Sequence, residues 1–203
     1  MIRAGIFTAP GAREQETLQA TLASLAKAGI TNIRLQLDGS AAGAMRTYDM
    51  LLWGLVANSA PDDHLMLLQD DMVCCGAMLE IAQDAIIRRP HAAHALFTPA
   101  QNVPDNREAN GWVEVAPSWG LWGGQFLLPR ALAADIAWHE FFKHHLASSR
   151  KQCDAATYET LRLLGAQTWT HVPSLFDHIG EVSIIGNAHS DETRGFRFNE
   201  WPR

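Results

Sequence analysis

The chain has 203 residues, of which 47% are hydrophobic and 19% are charged, and this composition argues against wholesale disorder. Its formal net charge of −6 argues against a broad basic surface for nucleic acid. The three cysteines, Cys74, Cys75 and Cys153, are odd in number and form no CxxC pair, which predicts reduced thiols. We see no signal peptide and no apolar stretch of about 18 residues, so we expect a soluble, cytoplasmic protein with no membrane partner.

The first half alternates strand and helix patterns. Strands are predicted at 2–7, 32–39, 64–69 and 93–98, and helices at 14–29, 44–58 and 76–89. This order predicts a mostly parallel sheet with crossover helices. Ligands bind at the carboxyl ends of the strands in such sheets. We therefore expect three polar segments to share one edge and to form a site: 8–13, 38–39 and 69–71.

The second half is less regular. A loop rich in Gly, Pro, Asn and Trp is predicted over 104–125, with a short strand at 112–116. A strand followed by a helix is predicted within 125–149, and a further helix runs from Asp154, its N-cap, to Gly165, its stop signal. A last strand, a turn broken by proline and a polar tail complete the chain.

Two adjacent carboxylates, Asp70 and Asp71, follow the apolar run 64–69. That run is continuous rather than alternating, which predicts a strand covered on both faces. The acidic pair fits a divalent cation site, because Mg²⁺ and Mn²⁺ prefer oxygen ligands. A solvated turn is an equally good interpretation of these residues alone. Their place at the predicted ligand edge favours the cation site.

Three further features each have two interpretations. His178 suits a metal ligand through neutral imidazole, although a single histidine is more often an ordinary polar or core residue. Asp154 suits a general base, but helix capping also explains it. In the segment 118–125, glycines permit close backbone approach and tryptophans can stack on an acceptor, and the alternative is a tight turn over the core. The residues concerned there are Trp119, Trp122, Gly123 and Gly124.

The order of these segments resembles the metal-dependent glycosyltransferases of the GT-A fold, over nearly the whole chain. Five segments carry the resemblance. The family's first strand, with its donor loop and helix, is similar to GIFTAPGAREQETLQATLASLAKAGI, its DXD motif to LLQDDM, and its glycine loop to WGLWGGQFLLPRAL. Its xED motif is similar to QCDAATYETLRLLGAQ, and its C-terminal segment with the metal-binding histidine to HVPSLFDHIGEVSIIG. Gln69 and Cys153 depart from acidic residues that the family carries at those places.

The resemblance implies an α/β fold of the GT-A type. This is a Rossmann-like α/β/α sandwich with a mostly parallel central sheet and an irregular C-terminal acceptor side. It further implies a single domain over 1–203, in which 1–100 is the nucleotide-sugar-binding half and 101–203 is the acceptor and catalytic half. The form expected is a small, soluble bacterial or phage enzyme.

The activity implied is transfer of a sugar from a nucleotide-diphosphate sugar, with UDP-sugar favoured, to an acceptor hydroxyl with inversion. The resemblance places Mn²⁺ or Mg²⁺ on Asp71 and His178, and gives Asp154 the role of base. The implied donor contacts are Thr8, Ala9, Arg13, Asp38 and Asp70, with Arg46 and Tyr48 as weaker candidates. The implied acceptor contacts are Trp119, Trp122, Gly123 and Gly124.

The acceptor and the oligomeric state are left open by the sequence. A glycan, a protein and a small molecule fit, as does a hydroxymethylated pyrimidine in DNA, which phage enzymes of this fold modify. The acidic charge argues against DNA, and the Trp-rich loop 112–122 argues for it. Two other classes stay open: a metal-dependent phosphohydrolase or nucleotidyltransferase, which needs carboxylates around a second metal, and a non-catalytic sugar-nucleotide-binding domain.

Overall fold

A computed structural model describes residues 1–8, 12–37, 44–99, 108–116, 125–147, 153–179 and 194–201. The helices are α1 (Ala12–Lys27), α2 (Ala44–Ala57), α3 (Met78–Arg88), α4 (Arg130–Trp138), α5 (Glu140–Ala147) and α6 (Cys153–Leu163). The strands are β1 (Ile2–Thr8), β2 (Ile33–Leu37), β3 (His64–Gln69), β4 (Met72–Cys74), β5 (Ala93–Ala95), β6 (Gly111–Glu114), β7 (Phe126–Pro129), β8 (Thr168–Val172) and β9 (Phe176–His178). A short 3₁₀ helix, Phe198–Glu200, follows.

A seven-stranded sheet forms the centre of the molecule, in the order β2-β1-β3-β7-β5-β8-β6. Strands β1, β2, β3, β5 and β8 run in one direction, and β6 and β7 run in the other. The predicted α/β fold with a mostly parallel central sheet is therefore confirmed. Strand β7, from the predicted acceptor half, lies between β3 and β5 of the predicted donor half.

Strand β3 is covered on both faces, as its continuous apolar run predicts. Leu65, Met66, Leu67 and Leu68 are all 0% exposed. Successive side chains of a strand point to opposite faces. Leu65 and Leu67 accordingly pack in the cluster built from α2, α4, α5 and α6, whereas Met66 and Leu68 pack in the cluster built from α1 and α3. The strand is the middle layer of an α/β/α sandwich.

Glycines end two of the helices, as predicted. Gly29, after α1, has a φ of +86°, and Gly165, after α6, has a φ of +66°, a conformation that side chains disfavour. The single helix expected after β7 is instead two helices, because His139 between α4 and α5 has an extended backbone. No helix in the described ranges has the length and apolarity needed to cross a membrane.

A second, two-stranded sheet joins β4 to β9 in antiparallel register. Met72 pairs with His178, Val73 with Asp177 and Cys74 with Phe176. This sheet was not predicted, because strands of three residues are too short to show a periodic pattern. Its consequence is that the chain just after Asp71 lies beside His178.

Candidate functional site

Strands β1 and β3 end side by side at the edge where the ligand was expected. They are parallel neighbours, and Phe7 pairs with Gln69. The residues that follow, Thr8 and Asp70, are 4% and 3% exposed, and the Thr8 hydroxyl donates a hydrogen bond to Asp70 Oδ2. The structure thus brings together two of the predicted donor contacts and directs the Asp70 carboxylate toward the sheet rather than into solvent.

Helix α1 supports the acidic turn from behind. The Thr21 hydroxyl, which is fully buried, donates to the backbone carbonyl of Asp70 at 2.8 Å and accepts from the backbone N–H of Met72 at 3.2 Å. The Ser24 hydroxyl accepts from the N–H of Cys74 at 3.2 Å. Sequence reasoning missed both hydroxyls, because a serine or threonine within an amphipathic helix carries no sign of a distant backbone partner.

Replacing Thr21 with Val should lower the free energy of unfolding by about 1–3 kcal/mol, since it leaves a buried carbonyl and a buried N–H without their partner. Urea denaturation measures this difference. The matched control is Thr31→Val, which makes the same change at an exposed position. Equal stability of the two variants would show that Thr21 does not brace the turn.

Asp71 and His178, far apart in the sequence, face each other. Asp71 Oδ2 lies 3.6 Å from His178 Nδ1, and the two side chains are 15% and 13% exposed. The backbone N–H of Ile179 donates to the carbonyl of Asp71 at 2.8 Å and extends the pairing of β4 with β9. The imidazole also packs edge-on against the ring of Phe97, with 5.0 Å between centroids. The two predicted metal ligands therefore lie together and are partly enclosed.

The separation suits a shared divalent cation. Metal bonds of about 2.1 Å separate two ligand atoms by roughly 3 Å at a right angle and by about 4.2 Å when the ligands are opposite. The observed 3.6 Å lies between these limits and is too long for a direct hydrogen bond. Within the described ranges, no group of three or more His, Cys, Asp or Glu side chains is placed to hold a metal. A cation here would take its other ligands from water and phosphate, which is how Mg²⁺ is commonly bound.

Asp154 lies in the first turn of α6 and is 7% exposed. The helix begins one residue earlier than predicted, so Asp154 is not the N-cap. Its Oδ1 accepts a hydrogen bond from the neighbouring N–H of Ala155 at 2.8 Å. A negatively charged side chain is favoured in the first turn of a helix, where the backbone N–H groups point toward it.

Cys153 joins α6 to the end of β3. The side chain of Gln69, the residue before Asp70, lies near its thiol, and Gln69 Oε1 accepts from Gln125 Nε2 at 3.4 Å. Burial, and then the charge of Asp154, raise the pKa of the Cys153 thiol well above its usual range. The thiol stays protonated and is not a nucleophile. Both departures from the GT-A pattern, Gln69 and Cys153, thus lie near each other as neutral side chains.

The two weaker donor candidates both lie on helix α2. Tyr48 is fully buried, packs edge-on against Phe7 at 5.3 Å and accepts a hydrogen bond from the Thr157 hydroxyl at 3.0 Å. Burial raises its pKa far above the usual range. Arg46 is exposed on the same helix, where its charge opposes the rise that burial causes in the pKa of Asp49. Tyr48 is a core residue, and the role of Arg46 stays a prediction.

Several predicted contacts lie outside the described residues: Ala9, Asp38, Trp119, Trp122, Gly123 and Gly124. Arg13 falls within α1, but its side chain is likewise outside the described part. The donor and acceptor roles assigned to these residues stay predictions.

The fold is similar to that of solved chains with which it shares little sequence. S. aureus TarS matches with a TM-score of 0.60 and 10% identity, over 89% of this chain and 37% of the other. TarS 1–349 in complex with UDP-GlcNAc matches with a TM-score of 0.60 and 12% identity, over 89% of this chain and 59% of the other. GalNAc-T7 with UDP, GalNAc and Mn²⁺ matches with a TM-score of 0.60 and 8% identity, over 88% of this chain and 44% of the other. The described chain therefore has a GT-A-like Rossmann-type fold.

This chain spans between about a third and three fifths of the length of these three solved chains. The search of family models and the search of curated proteins found no match to the sequence. Identities near 10% establish the fold alone.

Proposed function

We propose that this protein is a metal-dependent glycosyltransferase that transfers a sugar from a UDP-sugar to an acceptor hydroxyl. The observation that carries the proposal is the approach of Asp71 to His178, 3.6 Å apart, at the edge where β1 and β3 end. The complexes of TarS 1–349 with UDP-GlcNAc and of GalNAc-T7 with UDP, GalNAc and Mn²⁺ support the choice of donor and cation.

Asp71 and His178 would hold the Mn²⁺ or Mg²⁺ ion. Bound there, the ion supplies Lewis-acid stabilisation of the departing nucleoside diphosphate. One carboxylate and one imidazole leave most coordination positions to the diphosphate and to water, so the site is completed by the donor itself. This makes nucleotide binding and metal binding mutually dependent.

Asp70 has a different proposed task from Asp71. The hydrogen bond from Thr8 and the contact of Thr21 with its backbone carbonyl hold Asp70 still at the end of β3. A fixed carboxylate can accept hydrogen bonds from the hydroxyls of the sugar or the ribose. Ala9, Arg13, the base-recognising Asp38 and Arg46 complete the proposed donor contacts.

Asp154 is the proposed general base. It would remove the proton from the acceptor hydroxyl, whose oxygen attacks the anomeric carbon as the bond to the diphosphate breaks. A single in-line displacement of this kind inverts the anomeric configuration. The segment 118–125, with Trp119, Trp122, Gly123 and Gly124, would hold the acceptor, for which a glycan, a protein, a small molecule and a modified DNA base all remain candidates.

A thermal-shift panel of UDP-, GDP- and TDP-sugars, each with and without Mn²⁺, tests the proposal. We expect one UDP-sugar to raise the melting temperature only when Mn²⁺ is present. A ligand at a hundred times its Kd stabilises the folded state by about 2.7 kcal/mol, which such a panel detects easily. Mn²⁺ alone and UDP alone are the controls. If no nucleotide sugar shifts the transition in the presence of Mn²⁺, the proposal is wrong.

A further inference from the structure

We propose that Asp177 and Arg194 are positioning residues, which hold strand β9 so that His178 faces Asp71. The inference rests on the metal site of the proposed function. It adds a role for the segment 194–201, which bonds to β9 through Arg194 and Gly195.

Strand β9 needs such support because its own sheet is small. It consists of three residues, and among the described strands it pairs only with the three residues of β4, in a two-stranded sheet. An isolated two-stranded ribbon is marginally stable at best. A metal ligand, in contrast, has to be held to within about 0.5 Å of its working position.

The returning segment bonds to β9 at two consecutive residues. Asp177 Oδ1 accepts a hydrogen bond from the backbone N–H of Gly195 at 2.8 Å, and Asp177 Oδ2 lies 3.5 Å from Arg194 Nη1. The same nitrogen of Arg194 donates to the backbone carbonyl of His178. The guanidinium therefore connects the side chain of one residue to the backbone of the metal-binding residue after it.

The segment is itself firmly attached to the body of the protein. The N–H of Phe196 donates to the carbonyl of Thr98 at 2.8 Å, and the indole N–H of Trp201 donates to the carbonyl of Ser174 at 2.8 Å. Gly195 passes so close to the carbonyl of Phe176 that any Cβ there would clash with backbone. The segment 194–201 thus connects β9 to the chain that follows β5 and β8 of the central sheet.

Asp177 and Arg194 act on the backbone of β9 rather than on the ion. Neighbouring residues of a strand point to opposite faces, so the side chain of Asp177 lies on the other face of β9 from that of His178. Asp177 is consequently not a third ligand. The carboxylate of Asp177 instead forms an ion pair with Arg194, whose side chain is 42% exposed.

The test is the Mn²⁺ affinity of the full chain, measured from the electron paramagnetic resonance signal of free Mn²⁺ during titration, with and without UDP. We expect Arg194→Met and Asp177→Asn each to raise the Kd for Mn²⁺ about tenfold, the low end of the loss seen when the partners of a metal ligand are removed. Arg194→Lys should restore part of the affinity, because a lysine can still donate to the carbonyl of His178.

Arg197→Met is the matched control, because Arg197 belongs to the same segment but bonds to Glu200 and to the carbonyl of Ala109 rather than to β9. A merely structural role would lower the melting temperature of the metal-free variants without changing the Kd. Should Arg194→Met fail to fold, Asp177→Asn decides, since an asparagine oxygen still accepts from the N–H of Gly195.

Two negative results are distinguishable. Wild-type Mn²⁺ affinity in both Arg194→Met and Asp177→Asn would overturn the inference and leave the proposed metal site intact. Absence of Mn²⁺ binding by the wild-type chain, with UDP present, would overturn the metal site and the inference with it.

Discussion

Replacing Asp154 with Asn should lower the turnover number for sugar transfer by about 10²- to 10⁴-fold, the usual contribution of a general base. The amide oxygen of asparagine can still accept from the N–H of Ala155, which in the native chain donates to Oδ1 at 2.8 Å, so α6 should begin as before. The variant loses only the ability to take a proton. The affinity for the nucleotide sugar should change little, because the proposed base contacts the acceptor. Initial rates and a donor titration measure the two quantities separately.

Glu159→Gln is the matched control for this variant. Glu159 lies on the same helix and pairs with Arg162 at the surface, where such an ion pair contributes little to stability. The control makes the same change from carboxylate to amide and should transfer sugar at the wild-type rate. Undiminished transfer by the Asp154→Asn variant would remove Asp154 from the catalytic role and would favour a non-catalytic or differently catalysed function.

Replacing Asp71 with Ala should abolish the Mn²⁺-dependent part of the thermal shift that a UDP-sugar produces. The physical reason is the small number of protein ligands: with one carboxylate gone, a single imidazole and the diphosphate are left to hold the ion. His178→Ala should have nearly the same effect. The double variant should add little, because the two side chains act on the same ion. Both side chains are mostly buried and the imidazole packs against Phe97, so the metal-free melting temperature of each variant serves as the baseline from which its own shift is measured.

Asp62→Ala is the control for the loss of a carboxylate, because Asp62 is exposed and precedes β3 rather than following it. It should keep the full Mn²⁺-dependent shift. A shift of wild-type size in both Asp71→Ala and His178→Ala would show that the cation binds elsewhere, and the proposed division of tasks between Asp70 and Asp71 would then fail.

The parts of the fold that were predictable are those whose signal is local. The uninterrupted apolar run 64–69 predicts a strand buried on both faces, and β3 has these bounds and this burial. Gly29 and Gly165 end helices because their backbone conformation is one that other residues disfavour. In each case the physical cause lies within a few residues of the feature, so the feature can be predicted from the sequence.

The surroundings of the site were less predictable, because their partners are distant. The pairing of β4 with β9 involves strands of three residues each, and its register depends on where the central sheet places both ends. The contact of Thr21 with the acidic turn, and that of Arg194 with Asp177 and His178, likewise depend on packing between remote segments. Neither hydroxyls nor arginines carry a periodic signal.

The amino-acid sequence by itself determined the helices and four of the five described strands of the first half, the mostly parallel sheet and the candidates Asp70, Asp71, His178 and Asp154. Only the tertiary structure decided that Asp71 and His178 meet at 3.6 Å and that the hydroxyl of Thr21 bonds to the backbone of Asp70. Secondary structure follows from short-range sterics and from the periodicity of apolar residues, and both depend on residues that are close together in the sequence. The approach of two side chains from remote segments follows from how the buried faces of all the elements pack together.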